Sequence, residues 1–121
     1  MIEKTVYEYL STRIDVPVFM ELPEVPSEDH PEWPDRFVVI QKIGGGKLDH
    51  IRSASFAFQS YSLTSLYEAA ALDEEVQAVM DNMAVLDNIG SCSLASNYEF
   101  TDTRTKRYRY QCTYDIYYKE D

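Results

Sequence analysis

Three consecutive glycines followed by a lysine, Gly44 to Lys47, come nearer to a chemical motif than any other part of this sequence. A phosphate-binding loop also needs an earlier glycine and a following Ser or Thr, whose hydroxyl binds magnesium. Gln41 and Leu48 occupy those two positions. A dinucleotide-binding turn would need a glycine where Asp49 stands, and it would lead into a helix rather than a strand. We therefore predict a flexible hairpin loop over 44–49.

The histidines, cysteines and acidic residues do not have the spacing of a metal or catalytic site. His30 and His50 lie in different segments, and Cys92 and Cys112 are too far apart for a zinc-binding pair. Asp73 to Glu75 are consecutive, so on a helix they fan over roughly 200° and cannot converge as a general acid and base. We predict that they form a solvated helix face. We also predict no catalytic residue, no metal site and no cofactor, so that the chain is not an enzyme.

Composition limits the function classes further. The 121 residues include 11 Lys and Arg against 21 Asp and Glu, a formal net charge of −10. Such a charge repels a phosphate backbone, which argues against sequence-independent nucleic-acid binding. No apolar run approaches the roughly 20 residues of a membrane span. With 45% hydrophobic residues, we predict one soluble domain over 1–121, made in the cytoplasm, with a single core.

Hydrophobic periodicity predicts two helices and five strands. Apolar residues near the N-terminus recur at helical spacing over 2–13, and Ser65 with Glu68 forms a capping box that begins a second helix over 65–86. Alternating or β-branched segments predict strands over 16–20, 37–43, 51–61, 92–100 and 108–118. Pro17 places the first strand at a sheet edge. The expected fold is α+β, an antiparallel or mixed sheet of about five strands with both helices on one face, in the order α-β-β-β-α-β-β.

The last two strands form the clearest alternating pattern. From Tyr108 to Tyr118 every even-numbered residue is tyrosine, cysteine or isoleucine, so these side chains share one face of the strand. Tyr117 is odd-numbered and lies on the other face. Tyrosines on both faces fit a sheet that meets a partner, and a core of stacked tyrosines explains the even set equally well. A turn centred on Asp102 would bring Cys92 opposite Cys112, where a disulfide is geometrically possible, although two reduced, buried thiols are the expected state in a cytoplasm.

Residues 21–35 are predicted to form a long, irregular, acidic and proline-rich arm without Lys or Arg. Loops of this length are often functional. Trp33 either anchors the arm on a neighbouring subunit or folds back onto its own core, and the sequence leaves both interpretations open.

Basic residues crowd one end of the last hairpin, at Arg104, Lys106, Arg107 and Arg109. They form either the positive half of a contact with the acidic arm of another subunit or ordinary solubilising charge on the outer face of a strand. The candidate subunit interface predicted from the sequence consists of Trp33, Arg104, Arg107, Arg109 and Tyr117.

The order of these segments resembles a known family. After the first helix come Val16 to Phe19, the acidic proline-bearing stretch, Phe37 to Ile40 with its glycine-rich turn, Phe56 to Tyr61 running into the long helix, and the closing hairpin from Tyr98 to Tyr118. Across nearly the whole chain this order is similar to that of the tail-terminator and tail-completion proteins of long-tailed bacteriophages.

The resemblance implies a structural virion protein located in the tail or neck. It implies a homo-oligomer, a six-fold ring that caps the tail tube, stops its polymerisation and joins it to the head. Its partners would be further copies of itself, the tail tube protein and the head–tail connector proteins, with the genome passing through the ring without sequence-specific binding. Another neck or head–tail adaptor component, or a general protein-interaction module, is the alternative.

Overall fold

The computed structural model describes residues 1–22, 34–102 and 107–119, which form one five-stranded sheet with two helices on one of its faces. The elements are α1 (Ile2–Ser11), β1 (Val18–Phe19), β2 (Arg36–Leu48), β3 (Ile51–Ser62), α2 (Leu66–Met80), a 3₁₀ turn (Met83–Val85), β4 (Ile89–Glu99) and β5 (Tyr108–Tyr118). The predicted α+β class and the order α-β-β-β-α-β-β are confirmed.

The sheet has the strand order β1-β2-β3-β5-β4 and is mixed. β1 pairs parallel with β2, and the other neighbours pair antiparallel. The edge position predicted for the first strand is confirmed, and the carbonyl oxygen of Pro17 accepts a hydrogen bond from Val38 N at 3.0 Å. A proline has no amide hydrogen to donate, so the outer edge of the sheet is where it costs least.

The core lies between the helices and one face of the sheet. Val6 and Leu10 of α1 and Leu72, Val76 and Met80 of α2 are fully buried in a single cluster with the inward side chains of the sheet. Those inward side chains include Val38, Ile40, Ala54, Phe56, Phe58, Cys112, Tyr114 and Ile116. Both helices therefore bury their apolar stripes on the same face of the sheet, as predicted.

Both helices end earlier than their apolar periodicity indicates. α1 ends at Ser11 rather than 13, and α2 ends at Met80 rather than 86. Met83 in the following 3₁₀ turn is still buried in the core, so the apolar spacing continues after the helix has stopped. At the start of α2, Ser65 Oγ accepts a bond from Glu68 N at 3.1 Å, as predicted. The Glu68 carboxylate instead accepts from Ser62 Oγ at 3.3 Å.

The predicted glycine-rich loop is wrong. β2 runs through Gly44–Gly46 in extended conformation, and the turn comprises only Asp49 and His50 between the paired residues Leu48 and Ile51. None of the glycines has a positive φ, whereas Asp49 has a φ of 56°, which Asp tolerates better than most residues. A Cβ on Gly45 would lie 3.2 Å from the Ser53 carbonyl oxygen. Close approach of the backbone, rather than a turn, therefore explains a glycine here.

The register of the last hairpin also differs from the expected one. Cys92 lies opposite Ile116, and Cys112 lies opposite Asn97. Asp102 bridges to Arg107, so the hairpin turns later than a centre at Asp102 would require. Register shifts at Leu94/Ser96 and Ile89/Ser91 each move the pairing back by one residue, which recovers only part of the difference. Both cysteines are free thiols.

Candidate subunit-contact surface

The face of the sheet opposite the helices, called the open face here, is lined by polar side chains that bond to one another. Its residues are Ser53, Ser55, Ala57, Gln59 and Tyr61 on β3, and Arg109, Gln111, Thr113, Asp115 and Tyr117 on β5. Ser55 Oγ donates to Asp115 at 2.6 Å, and Gln59 Nε2 donates to Gln111 at 3.1 Å. The polar groups of the open face thus obtain hydrogen bonds from one another. A fully apolar partner could not supply those bonds.

One end of the open face is an aromatic cluster covered by arginines. The rings of Phe37 and Tyr61 stack with centroids 4.7 Å apart. The Arg107 guanidinium lies 5.5 Å from the Phe37 ring centre, and Arg107 is only 8% exposed. Arg109 donates to Tyr61 Oη at 2.9 Å and lies 4.1 Å from the Phe100 ring centre. The two arginines therefore pack on aromatic rings of their own chain, a favourable cation–π arrangement.

The structure divides the candidate interface residues into separate groups. Trp33 and Arg104 lie outside the described residues, as does the arm between 23 and 33. Arg107 and Arg109 lie at the aromatic end of β5, whereas Tyr117 lies eight residues along the strand from Arg109, about 27 Å away. Tyr117 is half exposed. The described members of the predicted interface thus do not form one site.

Tyr117 instead belongs to an apolar patch at the tip of the β2–β3 hairpin. This tip patch consists of Leu48, Ile51 and Tyr117, which are 78%, 50% and 50% exposed. The three side chains line one shallow cavity of about 330 Å³ together with Lys47, Asp49 and Ser53. A second cavity of about 270 Å³ shares Ile51 and Tyr117 with it.

The surroundings of the tip patch are equally exposed. Every residue from Gln41 to His50 is exposed, and within the described chain β1 pairs only with Val38 and Val39 of β2. The outer edge of β2 beyond Val39 therefore has no strand partner in the described ranges. A bulge between Lys42 and Gly44 interrupts that edge, which limits indiscriminate strand pairing.

Sequence reasoning missed Leu48 and Ile51 because it assigned the glycine segment to a loop. A usable signal was present: two apolar residues flank the two-residue segment Asp49–His50. Residues flanking a two-residue turn are directly opposite each other in a hairpin, so Leu48 and Ile51 had to be neighbours.

Asp73 departs from the predicted solvated helix face, because it is buried at 1% exposure. Its position is four residues after Ala69 and three before Val76, so it lies on the stripe of α2 that faces the sheet. Its Oδ2 accepts hydrogen bonds from Gln77 at 2.7 Å and from Asn97 at 2.6 Å. Burial raises the pKa of the Asp73 carboxyl, and the bonds from Asn97 and Gln77 oppose that rise. The carboxyl therefore ties α2 to β4.

Neither cysteine is a reactive nucleophile. Burial raises the pKa of Cys92 from 9.0 to about 12, with a smaller contribution from the Asp81 charge. Burial and then the Asp73 carboxylate raise the pKa of the Cys112 thiol as well. Because the thiolate is the nucleophile, both side chains are inert at neutral pH.

Thiol labelling tests this interpretation. In the folded protein we expect Cys92 to react with a disulfide reagent at least about tenfold more slowly than an ordinary thiol. The raised pKa lowers its thiolate fraction, and the greater nucleophilicity of that thiolate offsets only part of the loss. Cys112, which is fully buried, should not react until the chain unfolds. Both should react rapidly in concentrated guanidinium, which is the control. Rapid labelling of Cys92 in the folded protein would contradict the environment described here.

Metal-binding clusters and membrane-spanning helices are both absent from the described ranges. No group of three or more His, Cys, Asp or Glu there could hold a metal ion. None of the helices in the described part of the chain is long and apolar enough to cross a membrane. Neither a protein-family model nor a curated protein matches the chain.

Proposed function

We propose that this chain is a non-catalytic structural subunit that assembles with copies of itself. The observation that supports the proposal is the tip patch, in which three large apolar side chains cluster at the end of an exposed hairpin. Single exposed apolar residues are ordinary on protein surfaces, whereas clusters of them mark contact sites. Tyr117 adds an aromatic ring, a residue type enriched in protein interfaces.

The resemblance to tail-terminator proteins gives the proposal its finer form. In that form the chain is a virion protein of the tail or neck, and its copies build a six-fold ring that caps the tail tube and joins it to the head. The tail tube protein and the head–tail connector proteins are its other partners. A net charge of −10 per subunit suits a ring through which DNA passes without adhering.

The burial of Arg107 changes which residues test this proposal. Charge reversal at a residue packed on Phe37 would disturb the fold as well as any contact. The tip patch provides the cleaner site, because Leu48 makes little contact with its own chain.

We expect Leu48→Asp to weaken self-association by at least about tenfold without changing the circular dichroism spectrum. Burying a leucine side chain in a contact contributes about 1.5 to 3 kcal/mol, and a tenfold change corresponds to about 1.4 kcal/mol. Light scattering at increasing protein concentration measures the association.

Leu63→Asp is the matched control, since Leu63 is also exposed and follows the opposite end of β3. It should associate like the unchanged protein. Equal effects of the two substitutions would show that the tip patch has no special role.

Growing tail tubes test the finer proposal and separate it from the alternative of another neck or adaptor component, or a general interaction module. A tail terminator added to polymerising tube protein of the same virus should stop elongation, and negative-stain images should show a ring at the tube end. An adaptor or interaction module would leave tube length unchanged. Failure to bind the tubes or to stop their growth would remove the terminator proposal.

A further inference from the structure

Two neighbouring segments of this chain carry opposite charge. Residues 36–52, which contain β2 and the hairpin turn, include four basic residues and one acidic residue. Residues 53–102, which contain α2 and β4, include eight acidic residues and no Lys, Arg or His. The hairpin is therefore basic within a strongly acidic protein.

The positive charge of the hairpin lies beside the tip patch. Lys47 is exposed and borders the same cavity as Leu48, Ile51 and Tyr117. Its register partner is Arg52, so its side chain leaves the strand on the face opposite to that of Leu48. It takes part in neither of the two ion pairs found among the described residues, which join Lys4 to Glu8 and Lys42 to Glu3. Asp49, the acidic residue of the hairpin, borders the same cavity. The tip thus combines an apolar patch with an exposed ammonium group at its rim that belongs to neither ion pair.

The outer side of α2 has the complementary character. Tyr67, Ala71, Glu74, Glu75 and Ala78 follow one another on the helix surface that faces away from the sheet, and they are called the acidic stripe here. Tyr67 is 81% exposed. Glu74 and Glu75 are exposed and belong to neither described ion pair. The small alanines between them leave room for side chains of a partner to approach the helix.

The tip patch and the acidic stripe are different surfaces of one molecule. β3 has 12 residues, so the tip at Ile51 lies about 36 Å from Ser62, after which α2 begins. α2 then returns over about 22 Å. Tyr67 therefore lies far from the tip of its own hairpin, and the two surfaces cannot neutralise each other within one chain.

From this arrangement we propose that the hairpin tip of one copy docks on the acidic stripe of a second copy, with Lys47 facing Glu74 and Glu75. The inference rests on the proposed self-assembly and names the two surfaces that meet. Leu48 and Tyr117 pack against Tyr67 and the alanines, and the charges form the rim of the contact. Because the two patches differ, the contact can repeat from head to tail, and it generates a ring when the rotation closes.

A charge exchange between two variants tests this contact. The first variant carries Lys47→Glu, and the second carries Glu74→Lys and Glu75→Lys. In each variant alone, tip and stripe have the same sign, so we expect self-association at least about tenfold weaker than in the unchanged protein. In an equimolar mixture the reversed tip of one variant meets the reversed stripe of the other, so association should return.

The control is Lys4→Glu, which makes the same change of charge at an exposed position on α1. It should associate like the unchanged protein, as measured by light scattering at matched ionic strength. Circular dichroism and thermal unfolding of every variant verify that the fold is kept.

Two outcomes would overturn the proposed contact. Lys47→Glu could associate like Lys4→Glu, or the mixture could associate no better than the separate variants. Either result would leave self-assembly itself standing. If the unchanged protein associates only on tail tubes, the same variants are compared there by the amount of protein bound. An unchanged protein that associates neither in solution nor on tubes would overturn both the contact and the proposed function.

Discussion

Replacing Phe58 with alanine is expected to lower the free energy of unfolding by about 3 to 5 kcal/mol. Phe58 is fully buried at the middle of the sheet, where β3 pairs with Ile40 on one side and Cys112 on the other. Its ring meets the Tyr114 ring edge-on with centroids 5.9 Å apart. Truncation leaves a cavity that the surrounding strands cannot close. A domain of this kind has a total stability of about 5 to 15 kcal/mol, so the loss is a large share of it.

Denaturant unfolding followed by circular dichroism measures this loss. Phe100→Ala is the matched control, because the Phe100 ring is 47% exposed and contacts chiefly Tyr98 and Arg109. It should cost less than about 1 kcal/mol. Similar losses at both positions would contradict the assignment of the core to the helix-covered face of the sheet.

Asp73 is expected to give two opposite results, depending on the substitution. Asp73→Ala removes the acceptor of the bonds from Gln77 and Asn97, which should cost about 1 to 3 kcal/mol because those amides lose a partner. Asp73→Asn keeps an oxygen acceptor of the same shape and removes the buried charge. We therefore expect the asparagine variant to be at least as stable as the unchanged protein at neutral pH.

The pH dependence has a definite sign. The folded-state pKa of Asp73 is raised above its ordinary value of 3.8 by burial, so between those two pKa values the folded state binds more protons than the unfolded state. Stability from this group is therefore greatest at low pH and falls as the pH rises through the raised pKa. Asp73→Asn cannot titrate, so its advantage over the unchanged protein should shrink as the pH falls toward 3.8.

Parallel unfolding curves at several pH values test this expectation, because the difference between the two proteins cancels the titration of all other groups. A difference that does not depend on pH would show that the Asp73 carboxyl has the same pKa in both states. An asparagine variant as unstable as Asp73→Ala at neutral pH would show that the charge itself is needed for the bonds from Gln77 and Asn97.

Local patterns predicted the elements well, because each helix and strand must bury one face and the spacing of apolar residues records which one. The stripe from Ala69 to Met80 and the alternation in β5 are examples. The same rule failed where a residue of the wrong polarity occupies a core position. Asp73 lies on the buried stripe of α2, but its charge led to the prediction that it is exposed. Hydrogen bonds from Gln77 and Asn97 make its burial tolerable, and no local pattern reveals them.

The contact surface was the least predictable feature. The conformational freedom of the glycines at 44–46 indicated a loop, yet the segment is a strand, in which the small size of Gly45 allows the Ser53 carbonyl oxygen to approach closely. Both interpretations of Arg107, a subunit contact and solubilising charge, placed it on the surface. It is instead buried against Phe37 of β2, which is far away in the sequence.

The three glycines thus belong to the exposed hairpin that carries Leu48 and Lys47, and they do not form a phosphate site. The sequence by itself determined the α+β class, the order of the elements and the face that each one buries, because periods of two and 3.6 residues are properties of neighbouring residues. Only the tertiary structure decided that β5 lies between β3 and β4, which register the last hairpin adopts, and that Tyr117 meets Leu48 and Ile51. Those features depend on contacts between residues distant in the chain, and local spacing carries no record of them.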